Sequence, residues 1–169
     1  MIRKSLIIFF LLLSFPTNSC STVIESIVAF VEDEAITLTE LDDAYKKMSI
    51  ISPEISKEEV MNIIINRLLL LKEASKMKLD SFAINKNTKD ISSIIDEYVD
   101  IKIKSLIFVR DEEVQQFYDK NKEQFKGDVL TNVKDKIEAY LIEKETNKRL
   151  KEHLELLRSN TNWGITIKK

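Results

Sequence analysis

The sequence predicts a mainly α-helical domain with a small β-sheet formed by strands from both ends of the chain. Apolar residues recur at helical spacing over long segments, and the 169 residues include only two glycines and two prolines to interrupt them. Short β-prone runs stand near the beginning, at 28–38, and near the end, at 163–167. We therefore expect a helical domain whose first and last segments contribute strands to one sheet.

Residues 1–21 have the composition of a secretory leader and are set apart from the domain. Arg3 and Lys4 form a basic start, Leu6–Leu13 is an apolar core, and small residues follow at 19–21. The apolar core is shorter than the about 20 residues that a membrane-spanning helix requires. We therefore predict a cleaved signal peptide and no stable membrane span.

Two modes of leader cleavage remain open. Ordinary secretion places the cut after Ser21 or Ser19, whereas lipoprotein processing cuts before Cys20 and leaves a lipid-anchored envelope protein. The residues before Cys20 are Thr17-Asn18-Ser19, a poor match to a lipoprotein signal. The sequence therefore favours a soluble secreted protein over an anchored one.

Composition narrows the classes of function that residues 22–169 can have. Cys20 is the only cysteine, which excludes a disulfide scaffold and a cysteine-based metal site. Charges of both signs are interspersed. Removal of Arg3 and Lys4 with the leader leaves 24 basic and 28 acidic residues, a net charge of −4, and no basic stripe indicates nucleic-acid binding. The single histidine, His153, lies among charged helix residues, where we expect it to be solvated. The sequence thus predicts no catalytic, metal or cofactor-binding residues, and the protein is not expected to be an enzyme.

Two β-prone runs open the domain. Val28–Val31 and Ala35–Leu38 flank the acidic residues at 32–34, and this arrangement predicts a small hairpin or a bent strand pair. A third run, at 163–167, predicts the strand that closes the domain.

Two helix starts share one signal. Thr37 and Glu40, and again Ser56 and Glu59, have the spacing of a capping box, in which side chain and backbone exchange hydrogen bonds. Thr39 is a competing cap for the first helix. The predicted helices run over about 39–48, before a break at 52–53, and over about 57–78.

The second of these helices is apolar on most of its surface. When its residues are placed at about 100° intervals, only a narrow polar wedge remains, at Asn62, Asn66 and Glu73. A helix with this distribution packs against other elements on most sides. We therefore expect 57–78 to be surrounded by the rest of the domain.

Three further helices complete the predicted fold. A polar break at 85–88 precedes a helix over about 89–107. Asp111 is the predicted cap of a helix over about 112–124, which ends at 126–128. The last helix follows directly.

The last helix, over about 130–158, has an apolar stripe in two parts. Its middle, 143–149, contains no apolar side chain, so we expect both ends to be docked and the middle to be in water. Two interpretations of the middle remain: a surface helix with charge pairs four residues apart, or a strut across an open concavity.

Three blocks of sequence have an order and spacing that point to one protein family. Ile27–Leu41 combines a strand, an acidic turn, Ile-Thr and Glu-Leu; Ile64–Ala74 is an aliphatic helix with long polar residues before Ala; Val109–Phe125 is an acidic helix start followed by Tyr, Asn and Phe. This order resembles the chaperone domain of SurA-like periplasmic proteins. In that family a parvulin prolyl isomerase module follows the third block, whereas here the last helix follows at once.

The resemblance implies a fold and a function for residues 22–169. It implies one chaperone domain, with an N-terminal part, 22–125, and a long helix and closing strand, 126–169. The implied protein is an ATP-independent periplasmic holdase that binds unfolded polypeptides or outer-membrane-protein clients, without isomerase activity or cofactor, and a homodimer with swapped ends is conceivable. The alternatives are an isomerase by family label and an envelope adaptor lipoprotein anchored through Cys20.

A chaperone of this kind binds peptides through exposed apolar side chains. Candidates lie near the turn between the first two helices and just after the Ile-rich third helix. They are Tyr45, Met48, Ile50, Ile51, Met61 and Phe108. Packing in the core is the alternative for each of them.

Overall fold

The computed structural model describes residues 25–79 and 91–166, and this part of the chain is mainly helical with a small antiparallel sheet. The strands are β1 (Ile27–Val31), β2 (Glu34–Thr37) and β3 (Trp163–Ile165). The helices are α1 (Leu38–Ile51), α2 (Lys57–Lys76), α3 (Ile91–Lys102), α4 (Asp111–Lys120) and α5 (Leu130–Asn160), with 3₁₀ turns at Lys104–Leu106 and Lys122–Phe125. The predicted fold class is confirmed. The predicted leader, 1–21, and the polar break, 85–88, lie outside the described residues.

The sheet joins the two ends of the described chain. Its order is β2-β1-β3, and both pairs are antiparallel. Val31 lies opposite Trp163, and Phe30 lies opposite Gly164. A Cβ atom on Gly164 would be 2.8 Å from the Phe30 ring, so the ring occupies the space that a larger residue would need. The predicted pairing of an N-terminal strand with a C-terminal strand is confirmed.

The turn between β1 and β2 is held against α2 by ion pairs. Glu32 has a φ of 53°, a left-handed conformation that is uncommon for residues other than glycine. Lys72 of α2 forms ion pairs with Glu32 and, at 3.3 Å, with Asp33. Because these side chains are partly exposed, the pairs orient the hairpin more than they stabilise it.

Both predicted capping boxes are present, and they set the starts of α1 and α2. The Thr37 amide donates to the Glu40 carboxylate (2.8 Å), and the Glu40 amide donates to Thr37 Oγ1 (3.2 Å). Ser56 and Glu59 repeat this exchange at 2.7 and 3.1 Å. Each box satisfies amides that the first helical turn leaves without a partner.

The main core lies between the sheet, α1, α2, α3 and the C-terminal end of α5. α2 is at its centre, where Val60, Ile65 and Ala74 are completely buried. The other buried residues of this core are Val28, Ala29, Val31, Ile36, Leu41, Met61, Leu69, Leu70, Leu79, Ile94, Tyr98 and Leu157. The predicted position of the second helix, surrounded by other elements, is confirmed.

The polar wedge of α2 contacts an arginine of α5. The Arg158 side chain donates to Asn66 Oδ1 (2.9 Å) and to Asn62 Oδ1 (3.0 Å). Its guanidinium carbon lies 4.6 Å from the centroid of the Trp163 ring, and the Trp163 indole N–H donates to the Arg158 carbonyl (2.9 Å). Arg158 therefore connects α2, α5 and β3, which explains why polar residues occur on a central helix.

A second, smaller core holds α4 against the N-terminal half of α5. Its buried residues are Val114, Val133 and Ile137, and the half-buried residues around them include Phe117, Tyr118, Phe125 and Leu141. The other end of α5 enters the main core through Leu150, Leu154 and Leu157. The two-part apolar stripe of this helix thus corresponds to two separate docking sites, as predicted.

α3 ends at Lys102, earlier than the predicted end at about 107. Ile103, which is 4 % exposed, turns into the core at this point, and a 3₁₀ turn follows. The chain then continues without helix over 107–110. The Ile103 amide still donates to the Val99 carbonyl (2.9 Å), and the backbone leaves the helix at Ile103, whose φ is −120°.

α4 begins with Asp111 as its first helical residue, so the cap is Arg110 and the predicted cap is wrong by one residue. The Arg110 amide donates to the Glu113 carboxylate (2.9 Å). This hydrogen bond caps the first turn of α4 without a contribution from the Asp111 side chain. Gly127, with a φ of 92°, lies in the predicted break before α5.

Candidate functional site

Five of the six predicted contact residues lie on α1 and α2. Met61 is 3 % exposed in the main core, and Tyr45 and Met48 are half-buried against it. Ile50 and Ile51 are 82 % and 85 % exposed, because α1 continues past its predicted end and carries both side chains beyond the core. Packing accounts for the first three residues, so Ile50 and Ile51 are the two of these five that are largely exposed.

The sixth residue, Phe108, lies at a cleft beside α5. The cleft has a volume of about 390 Å³ and separates the segment 107–110 from the middle of the helix. Its apolar lining is Ile107, Phe108, Val109 and Leu141. Phe108 is 84 % exposed, whereas its two neighbours are half-buried. We call this site the α5 cleft, and none of the other five candidates lines it.

The α5 wall of the cleft is charged. Arg149 donates to Glu145 Oε1 (2.9 Å) and to the Leu106 carbonyl (3.3 Å), which ties the helix to the residue before the segment 107–110. The hydrogen bond from Arg149 is the main reason that the pKa of Glu145 lies below its usual value. Lys144 and Lys148 line the same wall one turn apart, and neither forms an ion pair with residues 25–79 or 91–166.

The other carboxylate of the cleft, Glu113, is also engaged. It accepts hydrogen bonds from the Arg110 amide (2.9 Å) and from Arg110 Nε (3.4 Å). The bond from the backbone amide is the largest cause that lowers the pKa of Glu113. Both carboxylates of the cleft therefore accept hydrogen bonds from arginines, whereas Lys144 and Lys148 have no ion pair among the described residues and Lys148 acts on Glu145 only at longer range.

The segment 107–110 is not helical, and its first and last residues have an extended backbone. Ile107 has φ and ψ of −95° and 125°, and Arg110 has −85° and 152°. Exposure alternates along the segment, from half-buried to exposed and back, as it does along a strand. Within the described chain, the amide and carbonyl groups of Phe108 and Val109 form no backbone hydrogen bond. Among the described residues these groups therefore have no backbone partner.

The sequence indicates this site only in part. It identifies Phe108 and predicts that the middle of α5, 143–149, is not docked. The contribution of Leu141 and of the residues beside Phe108 was missed. The available signal was the apolar run 106–109 immediately before a helix start, since such a run is too short for a helix of its own and too apolar for an ordinary linker.

His153 is half-buried and hydrogen-bonded, which corrects the prediction of a solvated side chain made from its charged neighbours. Its Nε2 lies 2.7 Å from the hydroxyl oxygen of Tyr98, a residue of α3 that is 1 % exposed. Burial lowers the pKa of His153, with Glu73 opposing this effect and Lys102 adding to it. Burial also raises the pKa of Tyr98 to about 12, with a contribution from Glu73. This hydrogen bond joins α3 to α5.

The remaining observations bear on the class of protein. Among the described residues, no group of three histidine, cysteine, aspartate or glutamate side chains is placed to hold a metal ion. The helices that the structure describes do not include one with the length and hydropathy of a transmembrane span. Comparison of the chain with protein-family models and with curated proteins finds no match in either set.

Proposed function

We propose that this protein is an ATP-independent periplasmic chaperone that holds unfolded polypeptides, including outer-membrane-protein clients, at the α5 cleft without isomerising them. The observation that carries the proposal is Phe108, a large aromatic side chain that is 84 % exposed at a cleft whose lining is partly apolar. Exposed apolar groups at a concavity are typical of binding sites. The resemblance of three sequence blocks to SurA-like chaperones supports the same role and the same cellular location.

The energetics of this surface suit transient binding. Burying one Phe side chain gains about 1.5–3 kcal/mol, which is small against the cost of association. Ile50 and Ile51 form a second exposed apolar contact at the end of α1. A long unfolded client can engage both places at once, which strengthens binding without making either contact tight. Because neither contact is tight by itself, the client can dissociate without ATP.

Substitution of Phe108 tests the proposal. Because this side chain is largely exposed, we expect Phe108→Ser to leave the urea midpoint of unfolding unchanged. Its affinity for reduced, carboxymethylated α-lactalbumin, which stays unfolded, should fall about tenfold because the apolar contact is lost. Fluorescence anisotropy of the labelled client measures the affinity, and light scattering of heat-treated citrate synthase measures the suppression of aggregation.

Leu156→Ser is the matched control, since Leu156 is a 55 % exposed residue of α5 that does not line the cleft. We expect this variant to bind the client as the unmodified protein does. The proposal is wrong if the unmodified protein neither binds the client nor suppresses aggregation at equimolar amounts, or if both variants lose affinity equally. Turnover of a proline peptide at catalytic amounts of protein would support the isomerase alternative instead.

A further inference from the structure

We infer that the α5 cleft binds an extended client segment as an added β-strand on residues 107–110. The preferred segment has an acidic residue and a bulky apolar residue on the same face of this strand. The inference rests on the proposed function and adds to it the class of segment that the site binds. Three properties of the cleft support it: the open backbone of one wall, the size of the apolar floor and the charge of the other wall.

The first property is the backbone of the segment 107–110. Its first and last residues are extended, and the polar groups of Phe108 and Val109 form no backbone hydrogen bond within the described residues. An extended peptide laid alongside supplies a complementary donor and acceptor for every second residue. Recognition through the backbone does not depend on client sequence, which agrees with a protein that binds many unfolded chains.

The second property is the shape of the apolar floor. Side chains alternate between the two faces of a strand, so every second residue of an added strand points at the cleft. A volume of about 390 Å³ is near the lower end of the roughly 300–1,000 Å³ found for ligand pockets. The cleft therefore accommodates one bulky side chain against Leu141.

The third property is the charge of the α5 wall. Lys144 and Lys148 are four residues apart on one helix, an arrangement that is destabilising for like charges. The carboxylates of Glu113 and Glu145 are already bonded to Arg110 and Arg149. A client carboxylate placed between the two lysines relieves their repulsion, whereas a client cation adds to it. The site therefore discriminates by charge next to its apolar contact.

The test uses three fluorescein-labelled peptides of about nine residues, the length of a long strand. The first alternates Val and Thr, with one central Phe and one Asp two positions later, so that both lie on one face. In the second, Lys replaces Asp. The third keeps Asp but carries N-methyl groups on alternate amides, which prevents strand pairing. We expect the first to bind roughly tenfold tighter than the second and roughly tenfold tighter than the third.

A charge reversal on the helix gives an independent readout. The double variant Lys144→Glu, Lys148→Glu should prefer the Lys peptide to the Asp peptide, again by roughly tenfold. The matched control is Lys136→Glu, Lys151→Glu, which changes two exposed lysines of α5 outside the cleft and should keep the preference for Asp. Circular dichroism spectra verify that both variants are folded.

The results separate this inference from the proposed function. If the unmodified protein binds α-lactalbumin but shows equal affinity for the Asp and Lys peptides, or is indifferent to N-methylation, the inference fails and the chaperone role stands. If it binds neither the peptides nor α-lactalbumin, the chaperone role itself fails. These comparisons use the unmodified protein, so they decide the matter even if a variant does not fold.

Discussion

At the scale of single residues, a few polar side chains decide how the helices are joined. Arg158 connects the polar wedge of α2 to β3, and His153 connects α5 to Tyr98 of α3. In the sequence His153 stands among charged residues and Arg158 precedes Ser159 and Asn160, so both resemble ordinary exposed positions. Their partners are distant in the chain, so no local pattern reveals that they are partly buried.

His153 gives the protein a stability that depends on pH. Burial lowers its pKa below the usual 6.5, so the unfolded chain takes up the proton more readily than the folded one. Its contribution is therefore complete above about pH 6.5 and is lost as the pH falls through the lowered pKa of the folded state. We expect the free energy of unfolding, from urea denaturation, to decrease between pH 7.5 and about pH 5.5.

The variant His153→Gln should show little change over the same pH range, because the chain has no other histidine. The carboxylates whose pKa is lowered, such as Glu59 and Glu113, lose their contributions only at more acidic pH, near or below about 4.5. Tyr98, with its pKa raised to about 12, stays protonated throughout. An equal slope for both proteins would show that His153 is not the titrating group.

At the scale of elements, helix starts follow from local sequence and helix ends follow from tertiary contacts. The starts of α1 and α2 are set by side chains three residues apart, so a short sequence pattern is sufficient to predict where these helices begin. The ends of α1 and α3 were predicted less well. α1 runs on to Ile51 before Pro53, and α3 stops at Lys102, directly before the buried Ile103. Burial of a side chain depends on residues far away in the chain.

Removal of one cap tests this distinction. Ser56→Ala deletes the acceptor for the Glu59 amide, and we expect it to lower the free energy of unfolding by about 1 kcal/mol, as is usual for an N-cap. The matched control is Ser75→Ala within the same helix, where alanine raises helix propensity and stability should rise by up to about 0.5 kcal/mol. Urea denaturation followed by circular dichroism measures both. Equal effects of the two substitutions would contradict a capping role.

At the scale of the whole molecule, α5 connects two cores, and the α5 cleft borders the second of them through Val109 and Leu141. One end of the helix packs beneath the sheet and the other packs on α4. Between them the helix has only polar and charged residues over 143–149, so no apolar side chain draws the segment 107–110 onto it. The concavity follows from this gap. The middle of α5 contains the ion pair between Glu145 and Arg149 and also borders the α5 cleft. The two interpretations of this segment, a surface helix with charge pairs and a strut across a concavity, therefore each describe part of the structure.

β3 completes the sheet, and substitutions in this strand test how much it stabilises the whole molecule. Trp163→Ala removes a side chain that packs on the main core, stacks on Arg158 and donates to its carbonyl. We expect the free energy of unfolding to fall by about 2–4 kcal/mol. Ile165→Ala, on the same strand but 45 % exposed, should cost less than about 1 kcal/mol. Similar urea midpoints for the two variants would show that β3 does not stabilise the fold through Trp163.

The sequence by itself determined the helical class, the capped starts of α1 and α2, the strands at both ends and the two-part stripe of α5, because each of these depends on residues that are neighbours in the chain. Only the tertiary structure decided that Met61 is enclosed while Ile50 and Ile51 are exposed, that His153 meets Tyr98, and that the segment 107–110 stays non-helical beside α5. Those outcomes depend on which distant surfaces meet. An apolar residue has the same local pattern whether it faces the core or a cleft, so only the packing of remote elements separates the two.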